Sequence, residues 1–355
     1  MIILSREECA AWRRLGEAVE ARNLKSTDPL ADIRPGLKPH FHFFAGSLLA
    51  SMGRETEGME WYRTGMLEEA GENMANAFMA AFLERHGGKM RMPAVLFADP
   101  RPYLHFTGVP AIRKSRESFL RQAAATLPRF PRPLRIMDVG CGDGGLLVLL
   151  LRHLRDAGRV GDIGHIYLTD ASEGMLAMAR KTVHEAFPDA PLTTIHGRIQ
   201  DVSADVPDGI DVALMSLSYH HLPLEVKRAH LRVLGPRIGH FLLFEFNADH
   251  DTPELRSPEL AVSVYQCYGR IIDDVFAHDA PVEIVQACVD NFLMAEVVSF
   301  FTEPRGKRND YHMLRQQWNA LFEETLAPVF SPLGEFPTYS HEGMEMFFLH
   351  YGRQV

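Results

Sequence analysis

The chain has 355 residues, with 37 Lys and Arg against 46 Asp and Glu, a formal charge of −9, 46% hydrophobic residues and 23% charged ones. This size predicts one large domain with an appended module, the balance excludes a disordered or fibrous chain, and the net sign argues against nucleic acid as a partner. Apolar runs such as Leu146–Leu151 are far short of the roughly 20 residues of a membrane span, and the N-terminus lacks a signal-peptide pattern. Four scattered cysteines, without CxxC spacing, suggest neither a disulfide framework nor a metal cluster, so the expectation is a reduced, cytoplasmic protein that meets no membrane.

Helix comes first. Ser5 and Glu8 have capping-box spacing, and Trp12, Leu15 and Val19 recur at helical intervals. After the break at Pro29–Pro39, two or three more helices are expected to about Glu84; within them Leu48–Met66 resembles a single tetratricopeptide-type hairpin with no second copy, as in a helical lid. A loop-rich passage, Ala94–Pro110, precedes a helix over Ala111–Leu127, and the proline-rich Pro128–Pro133 marks a domain boundary. The predicted division is therefore a helical lid over residues 1–128 and a second domain over 129–355.

Beyond the boundary, strand and helix alternate. Strands are predicted at Leu134–Val139, His165–Asp170, Pro191–Gly197, Gly209–Ser216 and Gly239–Phe246, with helices at Gly145–Arg155, Glu173–Ala186 and Leu224–Leu234 between them. Short connections and nearly unbroken apolar strands indicate a doubly wound α/β domain with a parallel sheet. A helical insertion at about 255–330 (Ser257–Phe276, Pro281–Met294, Tyr311–Leu326) precedes a last strand, Met344–Arg353, expected at the sheet edge.

The informative motif is DVGCGDGG, Asp138–Gly145. Its glycines let the chain turn and a ligand approach the backbone, but Gly140, Gly142 and Gly145 also satisfy the dinucleotide fingerprint. The surrounding acids discriminate. Asp138 is awkward for pyrophosphate and suited to a ligand ammonium, Asp170 ends the second strand where ribose hydroxyls are bound, and Asp201 with Val202 is placed for an adenine edge and face.

Over Arg132–Asn247 this ordered set resembles the class I S-adenosylmethionine-dependent methyltransferases. The resemblance implies a seven-stranded Rossmann-like sheet with an antiparallel last strand and S-adenosylmethionine as cofactor. It places Gly140 and Gly142 along the methionine portion, Asp170 at the ribose, Asp201 and Val202 at the adenine, and Ser216 beside the sulfonium. Arg308–Leu326 resembles a segment of some small-molecule methyltransferases. The expected activity is methyl transfer to a small molecule of natural-product metabolism. A weaker resemblance to azetidine-2-carboxylate synthases of the same fold leaves intramolecular cyclisation of the cofactor as an alternative, and a non-catalytic cofactor-binding protein as a second.

Other residues keep two readings. Tyr219 and His220 face the acceptor as acid–base groups, or pack the loop in which they lie; adjacent His220 and His221 lack the ligand spacing of a metal site. Tyr103 and Arg113, with His105 nearby, either reach the cofactor, Arg113 pairing with its carboxylate, or anchor the lid. Glu245, Asn247, Asp249 and His250 form a polar rim after the fifth strand, and Tyr265, Tyr268 and His312 read as core or pocket wall.

Overall fold

The structure is a computed structural model and describes all residues except 1, 70–72, 94–98, 203–204, 342 and 355. The chain divides into two units: a helical one of Met1–Ala111, Ala248–His312 and Ser340–Glu345, and a sheet unit of Ile112–Asn247, Met313–Tyr339 and Met346–Val355.

In the helical unit, α1 (Arg6–Glu20) starts on the expected capping box of Ser5 and Glu8. Its Trp12 packs edge-on against Phe41 of α2 (Lys38–Ser51), with ring centroids 5.2 Å apart. The hairpin of α2 and α3 (Glu55–Glu68) closes through glycine: a Cβ on Gly58 would lie 2.7 Å from the Gly46 carbonyl oxygen. Helices α4 (Ala75–Arg85) and α5 (Arg101–Gly108) follow, so the passage expected to be loop contains a helix; the part of it at 94–98 lies outside the described residues.

The sheet unit opens with α6 (Pro110–Thr126), whose apolar face of Ile112, Phe119, Leu120 and Ala123 is buried. Phe119 stacks on Phe244 at 5.2 Å and meets Phe348 edge-on at 5.0 Å. That packing assigns the helix to the sheet and sets the division at 111/112, not at the predicted 128/129, where only the proline-rich composition changes.

Next come β1 (Leu134–Val139), α7 (Gly145–Asp156), β2 (Ile163–Asp170), α8 (Glu173–Ala186), β3 (Leu192–His196), the short α9 (Ile199–Val202), β4 (Ile210–Ser216), α10 (Leu224–Leu234) and β5 (Ile238–Phe246). The inserted helix α11 (Pro258–Ala277) and a run of α12 (Val282–Ala287), a π-helical turn (Cys288–Leu293) and α13 (Met294–Thr302) belong to the helical unit, not to the sheet domain as expected. That run, Val282–Thr302, is a continuous 21-residue helix that by length and composition could cross a membrane, although 61% of its most apolar window is buried. Glu283, Asp290 and Glu296 interrupt it in the sequence, so it contains no long unbroken apolar run.

The chain returns to the sheet unit in α14 (Arg315–Leu326), preceded by extended chain where helix was expected from Tyr311, and ends in a hairpin, β6 (Phe330–His341) and β7 (Met344–Arg353). Strand order is β3-β2-β1-β4-β5-β7-β6. The strands from β3 to β5 are parallel, and β7 pairs antiparallel with β5 from His240↔Gly352 to Phe246↔Met346. The predicted last strand is thus internal. The edge is β6, whose alternating exposure and two prolines, Pro332 and Pro337, gave no apolar signal; an edge strand tolerates both. The order in which strands are added to the sheet reverses between β1 and β4, the switch point where open α/β sheets bind ligands at the carboxyl ends of their strands.

Candidate functional site

The turn after β1 is built around positive φ at Gly140 (+70°), Gly142 (+54°) and Gly144 (+74°). Two of them also need the missing side chain. A Cβ on Gly140 would stand 2.5 Å from Ser218 Cβ, and one on Gly144 would stand 3.1 Å from the Ala179 backbone of α8. The turn therefore holds β1, β4 and α8 close at the switch point.

Its amides are largely committed inside the protein. Gly140 and Cys141 both donate to the Thr169 carbonyl, at 2.8 and 3.0 Å, and Gly144 donates to Cys141 at 2.9 Å. Gly142 donates to Asp170 Oδ2 at 3.0 Å, and Gly145 to Asp143 Oδ1 at 3.2 Å. A diphosphate cradle needs such donors pointing outward. The glycines therefore give close approach to the backbone, as expected, while the charge at the turn comes from side chains.

Three of those side chains are acidic. Asp138 is 3% exposed, and burial, followed by the charges of Asp170 and Asp143, pushes its carboxyl up to about 8, with Arg116 opposing. Burial also raises Asp170, offset by the amides of Ser172 and Gly142 and by His221 and His196. Asp170 Oδ1 accepts from Ser172 N at 2.8 Å, so each of its oxygens carries one amide. A carboxylate offers about four acceptor positions. Two remain, enough for the two hydroxyls of a ribose.

Arg116 is a cation near Asp138. Its Nε is buried without a hydrogen-bond partner, and its charge reaches Asp138. Arg113 is exposed, and Arg116, three residues on, lies beside the buried face of Ile112, Ser115 and Phe119.

At the end of β4, Ser216 is half-buried and Leu217 has a φ of +50°. Ser218 Oγ donates to the Val139 carbonyl at 2.6 Å. Glu245, 1% exposed, organises the next turn: Oε1 accepts from the amides of Ser218 (3.2 Å), Tyr219 (3.0 Å) and His220 (3.3 Å). Its Oε2 lies 2.7 Å from His220 Nδ1. His220 is thereby a buried member of the turn. Tyr219 is corrected outright as an acceptor-facing group, because its ring is fully buried in the core against Trp318 and its hydroxyl meets His230 Nδ1.

Beyond β3, Asp201 is exposed on α9, and half-buried Val202 covers Gly197, where a Cβ would be 2.6 Å from Val202 Cγ1. Tyr103 belongs to the helical unit, edge-on to Phe292 at 6.2 Å, and His105 there binds the Val275 carbonyl at 2.9 Å.

The strand order, the antiparallel β7 and a glycine turn ringed by acids at the switch point define a doubly wound domain whose ligand-binding end carries buried carboxylates. Residues 136–236 match the family model described as "Methyltransferase domain". That stretch of the chain is therefore similar to a methyltransferase domain.

A PKS-NRPS hybrid synthetase from Chaetomium globosum is 26% identical over 193 residues, which are 52% of this chain and 4% of that protein; the chain thus spans a small fraction of its relative. Among solved structures, magnesium protoporphyrin IX methyltransferase from Synechocystis PCC 6803 with bound SAM is similar at a TM-score of 0.41 and 14% identity, covering 74% of this chain and 99% of that one. A putative S-adenosylmethionine-dependent methyltransferase from Listeria monocytogenes is similar at 0.40 and 14%, covering 67% and 99%. At these scores neither adds to the strand order and the family match.

Proposed function

We propose that the protein methylates a small molecule of natural-product metabolism, binding S-adenosylmethionine over the glycine turn. The observation that carries this reading is the convergence of Asp138, Asp143 and Asp170 on a turn whose amides are bonded internally, an environment that suits an ammonium and a sulfonium and opposes a diphosphate. In the proposed mode, Asp138 faces the ammonium, Arg116 pairs with the carboxylate and Asp170 accepts from the ribose hydroxyls. Ser216 flanks the sulfonium, and Asp201 and Val202 take the adenine. The cofactor supplies an already activated methyl group, so the task of the protein is alignment of the acceptor at about 3 Å and exclusion of water. Tyr103 and the other helices of the helical unit serve, in this proposal, as the lid; cofactor-dependent protection of that unit from protease tests it.

Asp170→Ala removes a charged acceptor of two amides as well as the ribose partner, and charge-assisted bonds are each worth about 1.5–3 kcal/mol. Calorimetry should show at least about 100-fold weaker binding of S-adenosylmethionine; unchanged affinity removes the assignment. Incubation with S-adenosylmethionine alone then separates the reactions. No turnover until an acceptor is added supports methyl transfer, whereas methylthioadenosine released without one identifies cyclisation to azetidine-2-carboxylate.

A further inference from the structure

The two edges of the sheet are built differently. β6 carries Pro332 and Pro337, residues that discourage a further strand. At the other edge β3 pairs with β2 alone among the described residues, and its sequence, Leu192-Thr193-Thr194-Ile195-His196, holds no proline, lysine or glycine to blunt it. None of these residues is buried. The Ile166 amide donates to the Pro191 carbonyl at 2.8 Å and the Gly197 amide to the Asp170 carbonyl at 3.0 Å, so the odd-numbered residues of this stretch face β2. By alternation, Leu192, Thr194 and His196 turn their backbone donors and acceptors outward.

Beside this edge α8 lays a basic face. Ala177, Arg180, Lys181 and His184 recur at helical spacing on the side away from the buried Met175, Ala179 and Val183. They line a groove of about 430 Å³ that runs on to Ala190 and Leu192, and no lining residue is acidic. Lys181 Nζ lies 3.9 Å from Glu185 Oε1, a long and exposed pair that solvent screens. In a chain of formal charge −9 the groove is a local exception, with two permanent cations and an imidazole beside unpaired backbone. A strand added to an open edge gains its affinity from main-chain bonds, and flanking charge selects its sign. The same charge opposes a second copy of this chain. Antiparallel pairing of β3 with β3 would keep both α8 helices on one face of the joined sheet and bring like cations together.

We propose that the β3 edge and the α8 groove together are the docking site for an acidic, extended peptide segment of another protein, which adds a strand to the sheet with its carboxylates beside Arg180, Lys181 and His184. Leu192 opens β3, so the groove lies at the opposite end of that strand from the rim where such sheets bind small ligands. Docking there leaves the acid-ringed turn uncovered, and it needs no assumption about the reaction.

The test uses the full chain and a synthetic peptide alternating glutamate and valine, with a peptide alternating lysine and valine as control. Amide hydrogen exchange followed by NMR reads each position. The glutamate peptide should slow exchange at Thr194 and His196 at least about tenfold, and leave Thr193 and Ile195, which face β2, as they were. An Arg180→Glu/Lys181→Glu variant should bind that peptide at least about tenfold more weakly by calorimetry, in the same sense as added salt, with a melting temperature near that of the parent. Thr194→Pro removes an outward amide and should abolish the protection of His196. Three results overturn the proposal: no protection by the glutamate peptide, equal binding of the lysine peptide, or an oligodeoxythymidine that displaces the glutamate peptide. A self-associated free protein whose Thr194 and His196 amides are already protected would overturn it too, by making a second copy the occupant.

Discussion

Asp138 is the residue whose replacement tests the electrostatics of the cofactor site most fully. With its carboxyl pushed up to about 8, it is about one-tenth ionised at pH 7 in the ligand-free protein. An ammonium arriving beside it favours the ionised form, so binding should expel a proton. Because the apparent dissociation constant scales inversely with the competent fraction, affinity for S-adenosylmethionine should tighten about tenfold between pH 6 and pH 7, where the ligand ammonium itself stays charged. About 0.9 proton should leave per cofactor bound at pH 7. Calorimetry in phosphate and in Tris, buffers of different ionisation enthalpy, counts that proton. Asp138→Asn cannot release it, so the count should fall to near zero and the affinity should lose its pH slope. Stability has its own sign: a carboxyl raised above its unfolded value stabilises fully below that value, and this contribution is lost as pH rises through about 8. The Asn variant should therefore be less sensitive than the parent over that range. Equal proton release from parent and variant, or a flat affinity from pH 6 to pH 7, would refute the reasoning.

Two further expectations concern buried groups away from the ligand. Tyr219→Phe removes the bond to His230 and should cost about 1–2 kcal/mol of stability, seen as a lower melting temperature, with cofactor affinity and turnover preserved; a large loss of turnover would return Tyr219 to catalysis. In the sheet unit, His350 Nδ1 contacts Thr126 Oγ1 at 2.9 Å and His350 Nε2 contacts His240 Nδ1 at 3.0 Å. Burial, then the neighbouring His240, lowers His350 to about 3. A depressed imidazole stabilises above its unfolded pKa of roughly 6.5 and the contribution is lost as pH falls towards 3, so melts should shift downward across that window and a His240→Asn/His350→Gln double variant should flatten the slope.

The β1–turn–α7 core was legible because its signals agree: an apolar strand buried on both faces, glycines where φ must be positive, and acids at the next strand ends. Asp138 and Asp170 stood out for that reason. The strand β6 was not legible, since an exposed edge with prolines lacks the burial that writes a pattern into sequence. Arg116 gave no signal in the sequence, because its partly buried place on α6 follows from helical phase. Tyr219 looked like a loop residue, whereas the Glu245 carboxylate, twenty-six positions away, folds its turn inward. The division at 111/112 depends on α6 packing against Phe244 and Phe348, contacts that composition does not record.

The most direct measurement is a pair of calorimetric titrations on the full chain, one with S-adenosylmethionine and one with NAD. Saturable single-site binding of the sulfonium nucleoside, with no heat from the dinucleotide, is the predicted result. Binding of NAD, or no binding of S-adenosylmethionine, would contradict the claim that the acid-ringed glycine turn holds a cationic nucleoside.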